Sequence, residues 1–147
     1  HRDLHSFPTR RSSDLKQEIL GQMVDLLVKS GQVLGSKRDI VMRDVMDREN
    51  EMSTGLQGGI AMPHGKSDGV KRIALAVGLR KDGVDFQSLD GHPTKIFIMI
   101  VAPKKAHQTY LRFLAGISKY FTGKENIERV LACGSSQELL GLLSYKA

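Results

Sequence analysis

The sequence predicts one α/β domain, a mixed β-sheet with helices on both faces. Three observations carry that expectation. Apolar residues recur with a helical period near both ends of the chain. Between them lie alternating and continuous apolar stretches of strand length. One of these, Lys95 to Ala102, is continuously apolar after its lysine and rich in β-branched residues. Such a run suits a strand buried on both faces, which needs helices above and below it. The length of 147 residues suits one domain, given about 100–200 residues for each. With 40% hydrophobic and 26% charged residues, a wholly disordered chain is excluded. No apolar run reaches the roughly 20 residues of a membrane helix, so an integral membrane protein is excluded too.

Residues 1–15, HRDLHSFPTRRSSDL, stand apart from the rest. They show neither a helical nor an alternating apolar period, and His5 to Leu15 back-translates to a close match of a common sequencing adapter. A non-native tail is therefore expected over 1–15 and the domain over 16–147. A basic targeting leader fits less well, because Asp3 and Asp14 interrupt it and it has no apolar segment.

From Lys16 to Ser30, Ile19, Leu20, Met23, Leu26 and Leu27 fall on one helical face, and Gly31 closes the helix. Ser36 can N-cap a second helix with a stripe of Ile40, Val41, Val45 and Met46, ending near Asp47–Asn50. Ser53 to Asp68 holds Gly55, Gly58, Gly59 and Gly65, and reads as turns around a short strand at Ile60–Met62. Lys71 to Arg80 alternates as a strand with Ile73, Leu75 and Val77 on one face. Asp82-Gly83 suits a turn, Val84–Phe86 a short strand, and Leu89–Pro93 a tight connection. After the buried strand, Gln108 to Phe121 is helical, with Leu111, Leu114, Ala115, Ile117 and Ser118 sharing a face. Lys124–Ala132 and Gln137–Leu143 complete the chain as two short helices.

Charge and composition narrow the function. Net charge is +6, which suits an anionic partner without identifying one. Lysines and arginines are scattered among acids rather than clustered, and there is no Trp, so a nucleic-acid-binding domain is disfavoured. One cysteine, Cys133, excludes an internal disulfide framework and fits a reducing, cytoplasmic setting. No His-x-x-x-His or carboxylate cluster offers three metal ligands, so no metal and no cofactor are expected.

The sharpest feature is GIAMPHGKS, Gly59 to Ser67. Pro63 restricts the backbone before His64, and Gly65 removes the side chain after it. Gly65, Lys66 and Ser67 offer backbone N–H groups and a hydroxyl at the spacing of an anion-holding nest. An imidazole is a nucleophile that is readily neutral near pH 7. On spacing alone, His64 is either a presented nucleophile or a plain surface histidine.

The segment GGIAMPHGKSDGV strongly resembles the phosphorylation site of fructose/mannitol-type IIA domains of the bacterial phosphoenolpyruvate-dependent sugar phosphotransferase system. Upstream, Arg48 to Leu56 resembles that family's RE-x-x-x-STG stretch; downstream, Gly83 to Gly91 resembles its G-x-x-F-x-x-x-D-G stretch. The apolar strand ending at Ala102-Pro103 and the YLRFLAGISKYF helix follow in order. The resemblance spans roughly Lys16 to Leu143.

This resemblance implies a phosphoryl carrier with the IIA mannitol/fructose-like fold. His64 would accept phosphate from the phosphocarrier protein HPr, through Nε2, and pass it to a cysteine of a IIB domain. Arg48 falls where the family has an arginine beside the site; it also fits a plain helix C-terminal cation. Gly65, Lys66 and Ser67 would contact phosphate. Many members carry a second histidine just before the Leu-x-x-Leu-Ala run, where this chain has Tyr110. The nearest histidine, His107, is one helical turn earlier, so His107 or Tyr110 would serve in its place. His92, in a turn before Pro93, is expected to be structural or exposed, and Cys133 a small helix-end residue rather than a IIB phosphocysteine. The same residues suit a regulatory module of the nitrogen-related branch, whose phosphohistidine state controls partner proteins.

Overall fold

The structure is a computed structural model that describes residues 12–132. Helix α1 spans Ser12–Lys29, beginning ahead of Lys16 within the stretch the sequence sets apart. It buries Lys16, Ile19, Leu20, Met23, Val24 and Leu27. Leu26, expected in that stripe, is 43% exposed at its border, and Val24 takes its place because Leu20, Val24 and Leu27 mark the centre of the buried face. The helix ends as expected at Gly31, whose φ of 80° few other residues adopt.

Helix α2, Arg38–Glu51, follows a 3₁₀ turn at Gly35–Lys37. Ser36 lies inside that turn and does not cap α2, which has no side-chain cap. The turn's own Lys37 N–H to Leu34 C=O bond (2.8 Å) organises the entry instead. The buried stripe of α2 is Val41, Val45 and Glu49, flanked by Met42 and Met46, with Ile40 only partly buried.

Four strands follow: β1 Ile60–Ala61, β2 His64–Lys66, β3 Ala74–Val84 and β4 Thr94–Ala102. Central β4 pairs antiparallel with β3 on one edge. Along its other edge β1 and β2 pair parallel with the same stagger, as one edge strand interrupted at Met62-Pro63. Pro63 fits there because only its carbonyl is used, accepting the Ile100 N–H at 3.0 Å. The segment from His64 to Lys66 is thus strand rather than loop. Asp82-Gly83 does not end β3; register shifts between Leu79 and Val84, with Gly83 at φ 78°, so the expected turn is a bulge within one strand.

Every residue of β4 but Lys95 is buried. Phe97, Met99 and Val101 join the core beneath α1 and α2. Ile96, Ile98, Ile100 and Ala102 join the opposite core, under helices α3 (His107–Tyr120) and α4 (Lys124–Leu131). The mixed sheet is therefore covered on both faces. Ile73, Leu75 and Val77 share the α3 side, as their alternation predicts. The inward face of α3 differs from expectation: Tyr110, Leu114, Ile117 and then Phe121 meet the sheet, while Leu111 is 48% exposed and Ala115 faces solvent. Apolar residues occupy several sides of this helix, so its period alone leaves the facing side open. Cys133 and the helix expected over residues 137–143 lie outside the described residues. Among the described residues, no helix is long and apolar enough to cross a membrane.

Candidate functional site

Side chains alternate along a strand, and that rule builds the site. His64 pairs with Ile100 and Lys66 with Ala102, both members of the core under α3. His64 and Lys66 therefore project toward α3. Gly65 pairs with Val101 and faces α2 instead. A Cβ on Gly65 would stand 3.5 Å from the Asp44 carbonyl oxygen and the Val45 Cα. Gly65 thus faces α2 at ordinary contact distance, rather than opening an approach to the imidazole. Ser67 is fully buried on that same side. Its N–H donates to the Ala102 carbonyl (2.9 Å) and its Oγ accepts the Gly69 N–H (3.1 Å). The expected anion nest over Gly65, Lys66 and Ser67 is not formed, because an extended strand sends successive groups to opposite sides.

On the α3 side the structure brings together four of the expected residues. The half-buried His64 donates from Nδ1 to the Met62 carbonyl at 2.7 Å. That bond places the proton on Nδ1 and leaves the Nε2 lone pair available; no hydrogen bond engages Nε2 among the described residues. Burial holds the imidazole below its ordinary pKa of 6.5, while the Met62 carbonyl opposes the shift; the Arg48 charge also lowers it and Glu49 raises it. His64 is therefore neutral at pH 7.

Tyr110, 6% exposed in the first turn of α3, sets its ring 6.0 Å from that of His64, centroid to centroid. Burial pushes its phenol up to about 12, against the opposing charge of Arg48. His107 lies on the same turn, 6.4 Å from Tyr110 between ring centroids. Its Nδ1 is 2.9 Å from the Lys66 ammonium.

Arg48 approaches from the last turn of α2, across the edge formed by β2. Its Nη1 donates to the Met52 carbonyl just beyond the helix (3.0 Å), as a C-terminal cation does. Its charge also acts on both His64 and Tyr110. The helix-end and site readings of Arg48 are thus compatible, since guanidinium keeps further N–H groups to offer. His92 stands apart, exposed in the Asp90–His92 turn, where its N–H donates to Asp90 Oδ1 (3.0 Å).

Sequence reasoning missed a buried network behind the site. Glu49 accepts the Lys16 ammonium (2.9 Å), the Thr54 N–H (2.8 Å) and the Thr54 hydroxyl (2.5 Å). The Lys16 and Glu49 side chains are 5% and 1% exposed. One signal was available: Glu49 continues the Val41, Val45 stripe at the next four-residue step, an acid on an apolar face.

Residues 7–146 match the family described as "Phosphoenolpyruvate-dependent sugar phosphotransferase system, EIIA 2". The chain is 30% identical over 129 residues to a fructose-specific EIIA component of Haloferax volcanii, covering 88% of this chain and 82% of that protein. It is 32% identical over 140 residues to the fructose-specific EIIABC component of Bacillus subtilis, covering 95% of this chain but only 22% of that longer protein. Among solved structures, the nitrogen regulatory protein IIA-Ntr of Neisseria meningitidis superposes with a TM-score of 0.70 at 28% identity, over 91% of this chain and 86% of that one. IIA mannitol of Escherichia coli superposes with a TM-score of 0.69 at 26% identity, over 87% and 88%.

Proposed function

This chain belongs to the EIIA 2 family of the phosphoenolpyruvate-dependent sugar phosphotransferase system, and on that premise we propose that His64 is its phosphate-carrying residue. The observation that supports this most is the Nδ1–H bond to Met62, which leaves Nε2 as the nucleophile. In the proposed step the Nε2 lone pair attacks phosphorus on phospho-HPr, and the donor's P–N bond breaks as the new one forms. The donor imidazole leaves with the electron pair of the broken bond. The proton on His64 stays at Nδ1. Positive charge that builds on the ring is stabilised by the Met62 carbonyl and by Glu49, the two groups that favour its charged form. Phosphoryl transfer needs positioning and charge stabilisation more than covalent help from the protein. Arg48 supplies charge to the phosphoryl oxygens, and Tyr110, protonated throughout the neutral range, supplies a hydroxyl donor in place of the family's second histidine. In a second transfer the thiolate of a IIB domain attacks phosphorus, the P–Nε2 bond breaks and its electron pair returns to Nε2, which passes the group on during sugar uptake.

A second reading is regulation, in which the phosphorylation state of His64 controls partner proteins. The likeness to nitrogen regulatory proteins supports it, including one of Klebsiella oxytoca at 29% identity over 113 residues.

The test combines phosphoenolpyruvate, Enzyme I, HPr and this protein, followed by intact mass. The expected result is an acid-labile gain of one phosphate that vanishes in His64→Ala. No gain on a folded wild type, with HPr shown to be phosphorylated, overturns the reading. Adding a IIB domain then separates the two roles: transfer to its cysteine supports transport.

A further inference from the structure

A continuous hydrogen-bonded path runs from the buried ion pair to the tautomer of His64. Lys16 holds Glu49, and Glu49 accepts both the N–H and the hydroxyl of Thr54. The Thr54 carbonyl accepts the Met62 N–H at 3.0 Å. The Met62 carbonyl accepts Nδ1–H of His64 at 2.7 Å. Glu49 is locked by burial, Thr54 is gripped at two atoms, and Met62 sits at the interruption between β1 and β2, where β4 bonds the neighbouring Pro63 carbonyl and the Met62 carbonyl meets His64.

We infer that Glu49 is a positioning residue for His64, acting through Thr54 and the Met62 peptide to keep the imidazole proton on Nδ1. The inference rests on the reading of His64 as the phosphate acceptor, since that is what gives the tautomer its value. A histidine's second nitrogen is commonly oriented by such a partner, and loss of one costs about 10–100-fold at metal-bound histidines. Lys16 completes the device. Its ammonium also donates to Ser53 Oγ (3.1 Å) and lies 4.7 Å from the centre of the Phe86 ring, so the carboxylate is charge-compensated in a buried site. Ser53 and Thr54 belong to the STG stretch, and through them the order of α1 and α2 is carried across to the edge strand.

The experiment reads the ring nitrogens of His64 directly. Long-range ¹H–¹⁵N spectra of unphosphorylated wild type should show the proton on Nδ1. In Glu49→Gln and Thr54→Val the Nδ1–H form should lose population to Nε2–H, and phosphorylation by phospho-HPr should slow by about tenfold. Thr54→Ser keeps the hydroxyl and should restore both. Leu27→Ala, a core cavity remote from the path, should lower Tm and leave the tautomer unchanged. If Glu49→Gln does not fold, the contrast between Thr54→Val and Thr54→Ser decides. A wild-type tautomer and rate in folded Thr54→Val overturns the inference, and so does an equal shift in Leu27→Ala. Because the spectra need no phosphate donor, a wild type that takes no phosphate, with the tautomer shift still seen in Glu49→Gln and Thr54→Val, fails the phosphocarrier reading alone.

Discussion

The Lys66 ammonium lies 2.9 Å from Nδ1 of His107, across the gap between β2 and the first turn of α3. An ammonium only donates, so His107 accepts through Nδ1 and carries its own proton on Nε2. The contact therefore aims two donors, a lysine and an imidazole N–H, along the side of the sheet that holds His64. Lys66→Ala and His107→Ala should each slow phosphorylation of His64. Because each supports the other, the double variant should fall about 3- to 10-fold short of the product of the single effects. Independent, multiplicative losses in the phosphotransfer assay would show that the contact has no role in the reaction.

Tyr110 can be tested by its hydroxyl alone. Tyr110→Phe keeps the ring against the α3-side core but removes the donor. Phosphorylation should slow by about tenfold, the value of one hydrogen bond to a charged group. Tyr110→His should retain more activity than Tyr110→Phe. With the phenol near 12, the wild-type rate should show no phenol titration across the neutral range. An unchanged rate in Tyr110→Phe removes this residue from the site.

His64 makes stability depend on pH in a definite direction. Burial, the largest cause, lowers its folded pKa below the ordinary 6.5. Between the folded value and 6.5 the unfolded chain binds the extra proton, so stability rises with pH there. The contribution is fully present above 6.5 and is lost as pH falls through the folded value. His64→Gln should flatten this acid limb in thermal melts from about pH 8 to about pH 5. Protonation of folded His64 removes the Nε2 lone pair, so the phosphorylation rate should fall as pH drops through the folded pKa, below 6.5.

The residues that face α2 should affect stability and leave the chemistry alone. Ser67→Ala strands the buried Gly69 N–H and should cost about 1–3 kcal/mol in denaturant unfolding, with the phosphorylation rate unchanged. Gly65→Ala places its Cβ at ordinary contact distance from α2 and should be nearly neutral. Gly55→Ala should not be: its Cβ would fall 2.8 Å from the Ser88 Cα, and overpacking of that kind costs about 1–3 kcal/mol. A slower phosphorylation rate in folded Ser67→Ala would restore that hydroxyl to the site.

Much of this molecule is legible locally. The β4 run, the α1 period with its closing Gly31, and the Pro63-His64-Gly65 sequence each show their character within a dozen residues. Gly65 and Ser67 are not legible in this way, because their direction depends on whether they are loop or strand. That is settled by pairing with Val101 and Ala102, far along the chain. Lys16 and Glu49 are hidden for the same reason, being 33 residues apart until α1 packs on α2. The inward stripe of α3 differs from the one its period suggests because Leu111, Phe113 and Leu114 make several sides of that helix apolar.

By itself the sequence determined the order and kind of most elements, and it offered, by resemblance, His64 as the candidate for the chemistry together with the residue types around it. These follow from periodicity and short-range sterics, which act between near neighbours in the chain. Only the tertiary structure decided that His64 and Lys66 face α3 while Gly65 and Ser67 face α2, that the His64 proton rests on Nδ1, and that Lys66 meets His107. Those outcomes depend on strand register and on hydrogen bonds between distant segments. A shift of one residue in that register would exchange the two faces and rebuild the site from different side chains.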